Sequence, residues 1–265
     1  MNDKDYKLFI VEGEAREPLI IDNISKVFLK HAKFKVITLP AGQNIYMLWK
    51  RLKEDDFETD IIEILREANE KIERQLLGLK RNDFSEIYLF FDYDGHQENL
   101  GEVDDINNVI EQMLVGFDNE TENGKLYISY PMVEALRDFE EGRCGKRDNC
   151  YIKIDEICNY KTISAIRAIY PQFKLYNYPI WKEVIDVFVM RISCLMNYKS
   201  VISYEQYVKM ISPFEIYKYE KIEILNNRVF ILSAFPEFLL EYFGVKLWRD
   251  CVNNVVSYKE FQKCK

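Results

Sequence analysis

Ile87-Tyr88-Leu89-Phe90-Phe91-Asp92-Tyr93-Asp94-Gly95-His96 is the stretch from which the chain is best read. Its unbroken apolar start fits a strand covered on both faces, as in the middle of a parallel sheet. The run then delivers two carboxylates one residue apart and a glycine that turns the chain. Open α/β sheets bind ligands beyond the carboxyl ends of their strands, so Asp92 and Asp94 emerge where a site belongs.

Upstream, Tyr6-Lys7-Leu8-Phe9-Ile10-Val11 reads as a first strand closing on Glu12-Gly13-Glu14. Pro18 suits a first helical turn, and Leu19, Ile20, Ile21, Ile24, Val27 and Phe28 fit a buried helical face. Residues 33–39 read as a second strand ended by Pro40-Ala41-Gly42, after which Asn44 caps a short helix reaching Arg51. Phe57, Ile61, Leu65, Ala68, Ile72, Leu76 and Leu79 recur at three- and four-residue steps, predicting one long helix over 56–80. At ~1.5 Å per residue that helix would be roughly 35 Å long, enough for its far end to project from the domain.

Downstream, the pattern predicts a helix over 104–114, a fourth strand over 125–130 and a helix from Pro131 to about residue 140. Strands alternating with helices imply right-handed crossovers and a parallel sheet. The alternation stops at the polar, glycine-containing stretch 142–149, which divides an α/β domain over 1–142 from a mainly α-helical region over 143–265. There, helices are expected near 163–170, 180–197, 204–211 and 236–242. Trp181, Val184, Ile185, Phe188, Ile192 and Leu195 form one apolar face, and residues 229–232 form a stray strand. Twelve of the 18 tyrosines follow Gly142. They suit an aromatic core or partner surface better than base stacking.

The 265 residues are 48% apolar and 30% charged, which suits a soluble globular protein with a substantial core. A net charge of −8 argues against a general electrostatic grip on nucleic acid. It leaves room for a local basic strip or a metal-mediated phosphate contact. Met1-Asn2-Asp3-Lys4-Asp5 lacks the features of a signal peptide. The apolar stretch 184–196 is too short for a membrane span and is interrupted by Asp186 and Arg191. A cytoplasmic protein without membrane attachment is therefore expected. The six cysteines contain no CxxC pair and there are two histidines. Zinc on Cys144, Cys150 and Cys158 is accordingly a poorer reading than reduced thiols.

Carboxylates follow three of the strands: Glu12 and Glu14 the first, Asp92 and Asp94 the third, and Glu134 the fourth. If those strands are parallel neighbours, the groups converge on one edge. Like charges ~4 Å apart repel by on the order of 4 kcal/mol at an effective dielectric of ~20, so convergence calls for a cation or for protons. Oxygen ligands without His or Cys favour Mg²⁺ or Mn²⁺. A glutamate in a first helical turn, as Glu134 is read, also gains from the helix dipole without any metal.

Val11-Glu12-Gly13 at one strand end and Asp92-Tyr93-Asp94 at another resemble the TOPRIM domain of primases, topoisomerases, old-family nucleases and small RNA-processing nucleases. The resemblance covers about residues 5–140. It implies a four-stranded, mostly parallel sheet, with Glu12 as general acid or base and Asp92 and Asp94 holding Mg²⁺. Many members carry an aspartate where this chain has Arg16. The run Glu12-Gly13-Glu14-Ala15-Arg16-Glu17-Pro18 is similar to the opening of RloB-like stand-alone members associated with bacterial phage-defence loci.

On this reading Glu12, Asp92, Asp94 and Glu134 are the catalytic candidates, the first three also being metal ligands. Glu14, Glu17 and His96 are auxiliary candidates, and Arg16, Arg137, Arg143, Lys146 and Arg147 are candidate phosphate contacts. The implied function is a Mg²⁺- or Mn²⁺-dependent nuclease acting on DNA or RNA, the toxic effector of an anti-phage system. No nucleotide-binding GxxxxGK[ST] loop is present in the sequence, so a controlling ATPase would be a separate chain; self-association into a homo-oligomer is compatible with this scheme. The alternative is a non-catalytic TOPRIM-like interaction module of a defence complex. Phe91-Asp92-Tyr93-Asp94-Gly95 also resembles the nucleophile strand of haloacid dehalogenase phosphatases, but that motif normally opens its chain and is followed by Thr or Val rather than His96.

Overall fold

The computed structural model describes residues 6–32, 34–40, 45–54, 56–68, 70–93, 103–138, 150–198 and 200–252. The protein is α/β, with a five-stranded, mostly parallel sheet flanked by helices and a helical C-terminal region. The sheet order is β2-β1-β3-β5-β4, from β1 (Tyr6–Val11), β2 (Lys35–Pro40), β3 (Phe84–Asp92), β4 (Asp118–Asn119) and β5 (Gly124–Ser129). β1 lies parallel to both β2 and β3, with Val11 opposite Phe90, and β4 pairs antiparallel with β5. The four expected strands are present, and the two-residue β4 adds a fifth.

β3, which holds the apolar part of the quoted stretch, is the middle strand of the sheet. Leu8 to Val11 of β1 have no exposed surface, and Ile87 to Phe91 of β3 are all buried. A run without alternation is what coverage on both faces requires. Gly124, at φ +107°, admits the close approach of β3, since a Cβ there would lie 2.5 Å from Leu89 Cδ1.

The chain falls into two compact units, residues 1–91 with 104–126 and residues 92–103 with 127–265. The expected division at 142/143 lies outside the described residues. In the first unit, α1 (Arg16–Phe28) buries Ile20, Ile21 and Ile24, and α2 (Ile45–Glu54) buries Leu48, Trp49 and Leu52. The expected helix over 56–80 is shorter at both ends: its described helical residues are α3 (Ile61–Ala68) and α4 (Glu70–Gln75), and residues 76–80 are not helical. Asp56 and Phe57 adopt left-handed φ values of 51° and 64°. The Asp60 carboxylate accepts from the Ile62 and Glu63 amides at 2.8 and 3.1 Å, so helix formation begins after it. Ile72 and Leu76 are buried rather than projecting. α5 (Val103–Gly116) matches the helix expected before β5.

In the second unit, α6 (Tyr160–Arg167), α7 (Tyr178–Leu195), α8 (Tyr204–Met210), α9 (Pro213–Leu225) and α10 (Ala234–Cys251) dominate. α7 is buried on more than its expected apolar face, for Asp186 and Arg191 are also inside. Arg191 donates to the carbonyls of Ile231 at 3.0 Å and Asp138 at 2.5 Å. The stray strand is β7 (Arg228–Phe230), and it pairs antiparallel with β6 (Tyr151–Lys153). No helix starts at Pro131. Tyr130 bridges Leu232, Met132 stays extended, and one 3₁₀ turn, Val133–Leu136, follows. Cys150 is disulfide-bonded, which corrects the expectation of reduced thiols there, while Cys158, Cys194 and Cys251 are free.

Candidate active site at the strand ends

Glu12 follows the last residue of β1, and its amide donates to the Phe90 carbonyl of β3 at 3.3 Å. The parallel pairing thus runs one residue beyond β1 and fixes the backbone of Glu12 at the carboxyl end of the β1–β3 pair. The Glu12 side chain is half-buried. Asp92 is the last residue of β3 and is likewise half-buried.

The loop after Glu12 is held by Glu17. This residue sits in the first turn of α1, where a negative charge is favoured, and is buried with its Oε1 accepting from the Gly13 amide at 3.0 Å. A Cβ on Gly13 would lie 2.6 Å from Glu17 Oε2 and 2.8 Å from Oε1. The glycine is needed so that the carboxylate can close over the backbone. Proposed from the sequence as an auxiliary ligand, Glu17 has one oxygen engaged in shaping the turn that carries Glu12. Glu14 is exposed, and Arg16, which opens α1, is half-buried.

In the second unit, Tyr93 continues directly from β3. Its amide donates to Ser129 O at 3.0 Å, and its ring lies 5.9 Å from that of Tyr130. Burial, and secondarily the charge of Glu220, pushes the Tyr93 phenol well above its usual range. Glu134 lies in the 3₁₀ turn and has no exposed surface, so it differs from the partly open Glu12 and Asp92. Arg137 donates to Lys161 O at 2.9 Å and to Ser164 Oγ at 3.2 Å, which ties its guanidinium to α6. Asp94, His96, Arg143, Lys146 and Arg147 lie outside the described residues.

Among the described residues no group of three or more His, Cys, Asp or Glu side chains is gathered in a way that could hold a metal ion, and no helix is long and apolar enough to cross a membrane. Glu12 and Asp92 are the predicted ligands that lie within the described residues, and both offer partly open oxygen donors. Carboxylate oxygens are the donor class that hard divalent cations take.

A set of buried polar groups in the second unit has no signature in the sequence. Glu220, Glu223 and Glu237 are all buried, as are Tyr130 and Tyr217. Glutamates in a helix ordinarily mark a solvated face, so nothing in their spacing singled them out. A scan of protein-family models and searches of curated proteins and of solved structures returned no match to this chain.

Proposed function

We propose that the protein is a TOPRIM-like, metal-dependent nuclease that cleaves phosphodiester bonds of DNA or RNA. The observation that supports this most directly is the continuation of the β1–β3 ladder to Glu12, whose amide donates to Phe90 O at 3.3 Å. It sets the Glu of the Glu-Gly motif at the carboxyl end of the strand pair whose other member ends in Asp92. Glu12, Asp92 and Asp94 would hold Mg²⁺ or Mn²⁺. An ion held there would supply charge neutralisation at the phosphate and the leaving oxygen. Glu12 takes the proton of the attacking water, a role open to a carboxylate within hydrogen-bond reach of it. In its biological setting the protein is the cytoplasmic effector of a bacterial anti-phage system, restrained by a separate ATPase.

The test is cleavage of DNA and RNA by the purified chain with Mg²⁺ or Mn²⁺, alone and with the product of its neighbouring gene. Asp92→Ala and Glu12→Gln should each lower cleavage by on the order of 10²-fold, the cost typical of losing one electrostatic element of a site. Undiminished cutting by Asp92→Ala sinks the assignment. An inert protein in every combination supports the non-catalytic interaction module instead.

A further inference from the structure

Glu220 lies on α9 with no exposed surface. Its Oε2 accepts from the Phe230 amide of β7 at 3.1 Å, and Oε1 has no hydrogen-bond partner among the described residues. No ion pair reaches either oxygen among those residues. Arg228, on the same strand as Phe230, is paired instead with Glu223. Among the described residues the ionisable groups that act on Tyr130 are Glu220, Tyr217, Glu237 and Tyr93, and Glu223 acts on Glu220 itself. A carboxylate stripped of water and without a cation is strongly disfavoured, whereas a neutral acid in the same place keeps its bond to Phe230 at far smaller cost.

The position explains why an acid stands there at all. β6 and β7 form a two-stranded ribbon, so among the described residues no further strand pairs with Arg228–Phe230 on the edge away from β6. A buried amide must find an acceptor, and for Phe230 a side-chain oxygen from α9 serves.

We propose that Glu220 is a pH latch: as a neutral acid it joins α9 to the edge of β7 without a buried charge, and on losing its proton it leaves there a charge that the Phe230 amide offsets only in part, so that the junction opens to water. Burial chiefly, opposed by the Phe230 bond and reinforced by Glu223, carries its proton affinity well above the usual carboxylate range. In the unfolded chain a glutamate ionises near pH ~4.3. Between that pH and the raised folded value, the native state binds one more proton than the unfolded state. Stability therefore falls as pH rises through this window and levels off once the folded group has ionised.

Thermal unfolding of the full chain from pH 5 to 9 tests this with Glu220→Gln and Glu220→Met, neither of which has a proton to lose at that position. The midpoint of the wild type should drop against both variants by roughly 3–5 °C per pH unit within the window. Hydrogen exchange should show Phe230 amide protection lost at high pH in the wild type and kept in Glu220→Gln. Parallel pH profiles for wild type and variants overturn the proposal, as does equal loss of protection. If neither variant folds, infrared spectra of the wild type decide: absence of a protonated-carboxyl band at pH 7 refutes a neutral Glu220. Nuclease activity enters none of these readouts, so the latch stands or falls apart from the proposed reaction.

Discussion

At the scale of single residues, the pair Gly13 and Glu17 shows how a sequence motif acquires its meaning. A glycine after the glutamate of a strand-end motif reads as a turn former, and a glutamate four residues later reads as a spare ligand. The structure joins them, since the missing Cβ of Gly13 leaves the space that the Glu17 carboxylate fills, 3.0 Å from the Gly13 amide. Gly13→Ala should therefore destabilise the fold by about 1–3 kcal/mol through overpacking. Removing the obstruction with Glu17→Ala should recover part of that loss. Urea denaturation of the two single variants and the double variant measures the effect, and a coupling of about 0.5–3 kcal/mol is expected for residues in contact. Strict additivity would show that the carboxylate moves aside freely.

At the scale of elements, what was legible depended on length and continuity. β1, β2, β3 and β5 are each six residues or longer, enough for an apolar run to stand out. β4 and β6, of two and three residues, carry no such signal. The helical spacing over 56–80 was misleading because apolar periodicity does not register a cap: Asp60 and the left-handed Asp56 and Phe57 break a pattern that otherwise runs through. α9 went unread although Ser212 accepts from the Glu215 amide at 3.2 Å and Pro213 opens the helix. Its apolar residues occupy no single face, so periodicity concealed what capping announced. Strand ends are legible in a sequence, so Glu12 and Asp92 can be placed at the carboxyl ends of β1 and β3, whereas the partners of Glu220 carry no such signal. α10 carries its own test. Gly244 interrupts it at φ 60° and ψ −145°, a region closed to residues with a Cβ. Gly244→Ala should cost about 1–3 kcal/mol by urea unfolding. A neutral result would mean that the kink straightens without penalty.

At the scale of the whole molecule, the thiols report which parts open. Cys158 is exposed, whereas Cys194 and Cys251 are buried. Burial, followed by smaller opposing contributions from Lys182 and from Asp250 and Asp186, pushes the Cys251 thiol up to about 12. Since the thiolate is the reactive form, alkylation at pH 8 mapped by mass spectrometry should mark Cys158 well before Cys194 or Cys251. Comparable labelling of Cys251 under native conditions would contradict its burial. The division into two units bears on how the molecule can be made. Residues 92–103 belong with 127–265, and 104–126 belong with 1–91, so neither unit is one uninterrupted piece of chain. A ribosome releases the first segment of the second unit before it has finished the first unit, which cannot be complete until residue 126 has emerged. No single cut of the gene yields either unit whole, and a fragment ending at residue 142 would carry two stretches severed from the unit they belong to.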